Sequence, residues 1–168
     1  MIKKVVKKHN NAKYCIVCGV DNSMGLHARF YEMEDGTMAA LASASSNHQS
    51  YPGRVHGGVI TALLDETIGR VINIPEPETW VVTGELAVRF KKPVPYDVPL
   101  LITSRLTSNS KRMFEGEGEI RLQNGDIAAS ATGKYVKLAL DAIADFEAAG
   151  DSWERYDLED DPAEIDIP

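Results

Sequence analysis

The sequence predicts an α+β fold, an antiparallel β-sheet wrapped around one central buried helix, and three stretches of the chain carry that expectation. From His56 to about Asn73, the apolar residues Val59, Ile60, Ala62, Leu63, Leu64, Ile68, Val71 and Ile72 recur at helical spacing and cover most of the circumference. Such a helix needs burial on most sides. From Trp80 to Leu138 the pattern changes to strand-like alternation. Ahead of the helix, Leu26–Tyr31 and Met38–Ser43 flank the turn signal Glu34-Asp35-Gly36-Thr37 and read as a hairpin. A sheet curled around an apolar helix buries both with the fewest elements.

Each element has its own signature. Pro75 and Pro77 end the helix. In the strand that follows, alternation places Trp80, Val82, Leu86, Val88 and Phe90 on one face and Thr83, Glu85 and Arg89 on the other. Further strands are expected at Leu100–Thr107, Met113–Leu122 and Ile127–Leu138, with Asn124-Gly125 as the turn between the last two. There Phe114, Gly116, Gly118 and Ile120 alternate with Glu115, Glu117, Glu119 and Arg121. A short amphipathic helix is expected from Asp141 to Ala149. The order is strand, strand, buried helix, then four strands.

A chain of 168 residues, 43% of them hydrophobic, suits one domain with a proper core. That domain is read as residues 22–150, between a basic N-terminal segment, 1–21, and an acidic tail, 151–168. The start, Met1 to His9, is basic with no apolar stretch behind it and does not read as a signal peptide. No run approaches the length of a membrane span, so cytoplasmic residence is the expectation. The formal charge of −7 resides in the tail: Asp151, Glu154, Asp157, Glu159, Asp160, Asp161, Glu164 and Asp166 stand against Arg155, leaving 17 basic and 17 acidic residues elsewhere. A neutral body gives no nucleic-acid footprint. The tail reads as a solvated end, with a regulatory or docking role as the alternative.

Chemistry is expected where the buried helix breaks its own rule. Gly58, Thr61 and Asp65 align on one face, whereas Glu66 points elsewhere and can pair with Arg70 at i+4. A carboxylate after Leu63-Leu64 is costly to bury unless it faces a cleft, a partner or a donor. Anchoring a neighbouring backbone or an inter-subunit contact would also account for it. Gly57 and Gly58 open the helix, where unpaired N–H groups sit at the positive end of the dipole and can hold a carbonyl oxygen as it becomes an oxyanion. A tight entry turn after Pro52-Gly53 is the plainer reading of the same glycines.

The run His56-Gly57-Gly58-Val59-Ile60-Thr61-Ala62-Leu63-Leu64-Asp65-Glu66-Thr67-Ile68-Gly69 resembles the His-Gly-Gly…Asp…Gly signature of PaaI-type thioesterases, in the 4-hydroxybenzoyl-CoA thioesterase-like hotdog superfamily. The strand Val82 to Phe90 with its exit Lys91-Lys92-Pro93-Val94-Pro95 is similar to that family's post-helix strand. The resemblance runs roughly from Asn22 to Lys137, and Cys15-Ile16-Val17-Cys18-Gly19 with Asn22 to Leu26 looks like the front segment of one branch, with Ser23 where proline is usual.

The resemblance implies hydrolysis of an acyl-CoA thioester to free acid and CoA. Asp65 would act as general base or nucleophile, Gly57 or Gly58 N–H would polarise the carbonyl, and His56 would sit beside the leaving sulfur or order the loop. Thr83 matches the Ser or Thr often found near the water. Ser50 stands where relatives carry asparagine, and Asn47, His48 or Gln49 are stand-ins from the same loop. The family's sites lie between subunits, which implies a homodimer or homotetramer with Asp65 of one chain opposite Gly57 of the other. Candidate cations for the CoA phosphates are Arg54, Arg89, Lys91, Lys92, Lys111 and Arg112, with the Lys91-Lys92 pair before Pro93 the first to test. No cofactor is expected.

Cys15 and Cys18 are too few for a disulfide scaffold, and a zinc site there would need His9, His27 or a partner subunit to complete it, so a structural turn is the expectation, ahead of a metal site or a redox pair, and no metal is assigned. Two other classes use the same pocket: a hotdog dehydratase or hydratase, for which no second catalytic motif is present, and a non-catalytic acyl-CoA-binding module, against which Asp65 argues. The acyl group is not legible in the sequence.

Overall fold

The helical period materialises as α1 (Gly57–Arg70), continued by a 3₁₀ turn, Val71–Asn73, that carries Val71 and Ile72 into the core. The computed structural model describes residues 1–168. Its strands are β1 (Ile2–Lys8), β2 (Asn11–Ala12), β3 (Arg29–Met33), β4 (Met38–Ser43), β5 (Trp80–Phe90), β6 (Pro99–Asn109), β7 (Met113–Arg121), β8 (Ile127–Leu138), β9 (Trp153–Glu154) and β10 (Glu164–Asp166). Eight of them form one antiparallel sheet in the order β10-β1-β3-β4-β6-β7-β8-β5, and β2 pairs with β9 separately. The expected hairpin, helix and four strands are all present. No helix is long and apolar enough to cross a membrane.

The sheet packs around α1, whose Ile60, Leu63, Leu64 and Ile68 are buried against β4 to β8. The helix sits close because β7 offers glycines. A Cβ at Gly116 would lie 2.8 Å from the Ile68 side chain, and one at Gly118 would lie 2.9 Å from both Ile68 and the Thr103 carbonyl. Phe114 and Ile120, buried on the same face, flank the two glycines. Thus the alternation of β7 is a seat for the helix.

Three expectations change. First, β5 carries a bulge at Gly84, because Thr83 pairs with Tyr135 but Glu85 pairs with Lys134. The extra residue reverses the alternation. Val81 and Thr83 therefore join Leu86 and Val88 on the helix side, and Thr83 does not share a face with Glu85 and Arg89. Second, the segment from Asp141 to Ala149 is one short 3₁₀ turn, Leu140–Ala142, followed by further turns. The Asp145 side chain takes the Ala148 N–H at 3.0 Å, a local bond that competes with a helix, and Phe146 is drawn against Trp80 and Trp153.

Third, the acidic tail is docked on the basic start. Strand β10 pairs with β1 from Ile2–Asp166 to Lys4–Glu164, and Ile165 is buried beside Tyr31, Met33 and Ala39. Lys8 reaches Asp161 at 2.6 Å, Arg29 reaches Asp160 at 2.8 Å, and the Tyr31 hydroxyl donates to Asp161 at 2.6 Å. Lys8 and Arg29 thus hold carboxylates of a tail that composition alone reads as solvated.

Candidate active site

The loop before α1 fixes its N-terminus. Tyr51-Pro52-Gly53-Arg54 is a tight turn closed by Arg54 N–H on the Tyr51 carbonyl at 2.9 Å, with Gly53 at φ 78°, as a type II turn requires at its third residue. His48 is buried, and its Nδ1 accepts the Ser45 N–H at 2.9 Å, so Nε2 carries the proton it gives to the Met24 carbonyl at 2.7 Å. The His48 carbonyl in turn accepts the His56 N–H at 2.8 Å. His48 is a pin for the helix entrance.

His56 caps the helix. Its Nδ1 accepts the Gly58 N–H at 2.9 Å, which leaves the Gly57 N–H without a protein acceptor. The neutral ring therefore carries its proton on an exposed Nε2. Beside Gly57 opens a cavity of about 450 Å³, also lined by Ser50, Arg54, Phe90, Lys91 and Lys92. Arg54 and Lys91 have no side-chain partner in the chain, whereas Lys92 is paired with Asp126 at 2.5 Å. Arg89 is elsewhere, on the outer face of the sheet with Arg105 and Glu117. Lys111 and Arg112, in the β6–β7 turn, do not line the cavity.

Two turns further along α1, half-buried Asp65 is gripped by two hydroxyls. Thr83 Oγ1 donates to Asp65 Oδ1 at 2.8 Å, and the Tyr135 hydroxyl lies 3.0 Å from both Oδ1 and the Asp65 carbonyl. The Tyr135 ring is stacked on Phe114, centroids 4.9 Å apart, and lies over Gly133, where a Cβ would come within 2.5 Å of it. Burial first, and the Asp65 charge second, hold the phenol proton well beyond its ordinary range. Tyr135 is a permanent donor.

Sequence reasoning missed Tyr135. The available signal was its parity with Ala129, Ala131 and Gly133 on β8, where a phenol among small residues must point its hydroxyl at something. It also paired Glu66 with Arg70 correctly, at 2.7 Å, without seeing that Arg70 is itself buried, over the Phe30 ring at 3.9 Å. Cys15 and Cys18 are free thiols beside Glu66, and the hydrogen bond between them lowers the Cys15 pKa and raises that of Cys18. Neither His9 nor His27 joins them.

An antiparallel sheet wrapped around a single helix, with a His-capped glycine pair at the helix start and a hydroxyl-gripped aspartate on its face, defines a hotdog protein. The model of the thioesterase superfamily matches residues 52–129, the segment that carries His56, Gly57, Asp65 and Thr83 but not Tyr135. The mouse acyl-coenzyme A thioesterase THEM4 is 26% identical over 113 residues, 67% of this chain and 48% of that protein. This chain thus spans about half the length of that relative. The BH2602 protein of Bacillus halodurans, solved with CoA, is 26% identical with a TM-score of 0.59, covering 66% of this chain and 74% of that one. The PaaI protein of E. coli, from the phenylacetic acid degradation operon, shares the fold at 18% identity and a TM-score of 0.61, covering 68% of this chain and 81% of that one. The chain thus has the hotdog fold of these proteins and resembles the thioesterase superfamily over residues 52–129.

Proposed function

We propose that this protein hydrolyses acyl-CoA thioesters to the free acid and CoA. The observation that carries the reading is the Asp65 carboxylate, fixed by Thr83 and Tyr135 on the face of a helix whose first free N–H, at Gly57, opens into a cavity holding unpaired cations. Asp65 takes a proton from water as it attacks the thioester carbonyl, or attacks that carbonyl itself. The Gly57 N–H receives the developing oxyanion, while the Gly58 N–H is already held by His56. In this reading the Nε2–H of His56 donates to the departing sulfur. Ser50, beside Gly57, orders the carbonyl or the water.

Along one helix, Gly57 and Asp65 are separated by roughly 12 Å, at 1.5 Å per residue, too far to act on one carbonyl. A second copy supplies the missing half, with Asp65 of one chain opposite Gly57 of the other in a homodimer or a dimer of dimers. The THEM4 relative's thioesterase name and the CoA bound to the BH2602 protein support the substrate class. Free thiols at Cys15 and Cys18 support residence in the cytoplasm.

Thiol release from acyl-CoAs, acetyl through palmitoyl with phenylacetyl and benzoyl, measured for the wild type and Asp65→Asn, tests the reading. Hydrolysis that falls about 100-fold or more in the variant supports it. Measurable binding with no turnover of any acyl-CoA would make the protein a binding module instead.

A further inference from the structure

The geometry points to a structural zinc site formed by Cys15, Cys18 and Glu66, which fastens the N-terminal knuckle to the helix that carries Asp65. The Sγ atoms of both cysteines and a carboxylate oxygen of Glu66 all lie within 4.8 Å of one another. Tetrahedral zinc, at about 2.3 Å from sulfur and 2.0 Å from oxygen, sets ligand pairs about 3.5 to 3.8 Å apart. Cys15 Sγ and Glu66 Oε2 stand 3.8 Å apart. Small side-chain movements close the site around one ion.

The backbone is already arranged for thiolates. Cys15 Sγ accepts the N–H groups of Val17 at 3.3 Å and Cys18 at 3.4 Å, and Cys18 Sγ accepts the Ala12 N–H at 3.5 Å. Such bonds spread the charge of a metal-bound sulfur. The turn that produces them is tight enough that a Cβ at Gly19 would lie 2.3 Å from the Cys15 carbonyl. A structural turn alone explains the glycine, but it leaves unexplained why a carboxylate faces the two sulfurs.

Glu66 is divided between two tasks. Its Oε1 accepts from Arg70 Nε at 3.1 Å and Nη2 at 2.7 Å, and its Oε2 is left facing Cys15. Arg70 is itself fixed, over the rings of Phe30 and Trp153. It therefore orients Glu66 as an outer partner orients a metal ligand. Two thiolates and a carboxylate carry three negative charges, and a divalent cation together with Arg70 cancels them. Without the cation, Arg70 alone offsets Glu66 through Oε1, and Oε2 has only the Cys15 thiol, at 3.8 Å, as a partner. Two sulfurs and one oxygen suit zinc better than calcium or magnesium, and the exposed side of Cys15 leaves the fourth position to water.

The experiment uses the full chain, purified without a metal-chelating tag. Zinc content, competition with a chromophoric chelator, and the absorption of the Co²⁺-substituted protein are measured for the wild type, Cys15→Ser/Cys18→Ser and Glu66→Gln, with circular dichroism reporting the fold. The proposal expects about one zinc per chain, thiolate-to-cobalt charge transfer with tetrahedral d–d bands, loss of both in the double variant, and affinity about tenfold weaker or more in Glu66→Gln. It is overturned if folded wild type takes up neither ion, if Cys15 and Cys18 are recovered as a disulfide with no ion bound under reducing purification, or if the double variant binds zinc as well as the wild type. Should the double variant fail to fold, Glu66→Gln decides, since unchanged affinity there removes Glu66 from the site.

Discussion

The Tyr135 hydroxyl stands 3.0 Å from both the side-chain and the main-chain oxygen of Asp65, so one phenol ties the carboxylate to the helix that carries it. With Thr83 at 2.8 Å on the same Oδ1, the carboxylate has one restrained oxygen and one left for substrate or water. Tyr135→Phe keeps the ring stacked on Phe114 and removes only the hydroxyl. Acyl-CoA turnover is expected to fall about tenfold with KM nearly unchanged, because the loss lies in holding the carboxylate for the transition state. Thr83→Val is expected to act in the same direction. Steady-state kinetics at saturating acyl-CoA check this, and a variant as fast as wild type would make the phenol a packing feature only.

Why this contact was not foreseen, when the helix and its aspartate were, is a matter of register. The period of α1 is local and readable from Val59 to Ile72, and so was the hairpin signal at Asn124-Gly125. Thr83 enters the candidate site only through the family resemblance, and strict alternation puts it on the wrong face because it has no way to show the bulge at Gly84. The docked tail was illegible for a different reason: Asp161 and Lys8 are partners across almost the whole chain, and charge counted by segment shows excess without showing pairing. The cations near Gly57 depend on which strand exit folds back on which loop. Of Arg54, Arg89, Lys91 and Lys92, only Arg89 lies away from the cavity.

The seat of the helix gives a stability prediction. At Gly118 a Cβ meets the Thr103 carbonyl at 2.9 Å, a backbone atom that cannot turn aside, whereas at Gly116 the nearest backbone atom, the Arg105 carbonyl, lies at 3.2 Å and the closest contact, at 2.8 Å, is the Cγ2 methyl of Ile68. Gly118→Ala is expected to cost about 1–3 kcal/mol, more than Gly116→Ala, as overpacking against a fixed sheet does. Urea unfolding monitored by circular dichroism ranks the two. The reverse order would mean that the helix, not the strand, gives way.

His9 gives the protein an acid-sensitive range. It is only 7% exposed, its Nε2 has no hydrogen-bond partner, and burial, with Arg70 and Lys7 adding repulsion, lowers its pKa to about 4 from the ordinary 6.5. The folded protein therefore refuses a proton that the unfolded chain accepts. Stability is expected to be complete above pH 6.5 and to fall as the pH drops toward 4, by on the order of 3 kcal/mol at most. Urea midpoints at pH 7, 5.5 and 4.5 should show the slope in the wild type and a flatter one in His9→Gln. Equal slopes would move the acid sensitivity to another group.

Asp161 does not contribute in that window. Burial alone would raise its carboxyl, but bonds from Lys8 and Tyr31 outweigh it and bring the pKa to about 2. A carboxylate depressed in the folded state adds stability above its ordinary pKa and loses it only as the pH falls toward 2. Asp161→Asn at pH 7 is accordingly expected to free the segment from Tyr156 to Asp166, seen as faster amide exchange there while α1 and β8 stay protected. Protection unchanged in the tail would assign its docking to β10 and Ile165 alone.

The cavity beside Gly57 separates cations that look alike in sequence. Arg54 and Lys91 line it without carboxylate partners, Lys92 lines it but is paired with Asp126, and Arg89 faces the other side of the sheet. If CoA phosphates are held here, Arg54→Ala and Lys91→Ala should each raise KM about three- to tenfold with little change in kcat, since phosphate contacts serve bound substrate and transition state alike. Lys92→Ala should do less, because its ammonium is already shared, and Arg89→Ala should do nothing. The effects should also shrink as salt rises, as exposed charge pairs do. Acyl-CoA kinetics at two ionic strengths test the ranking. A KM effect from Arg89 equal to that from Lys91 would move the nucleotide to the outer face of the sheet and take the Gly57 cavity out of CoA binding.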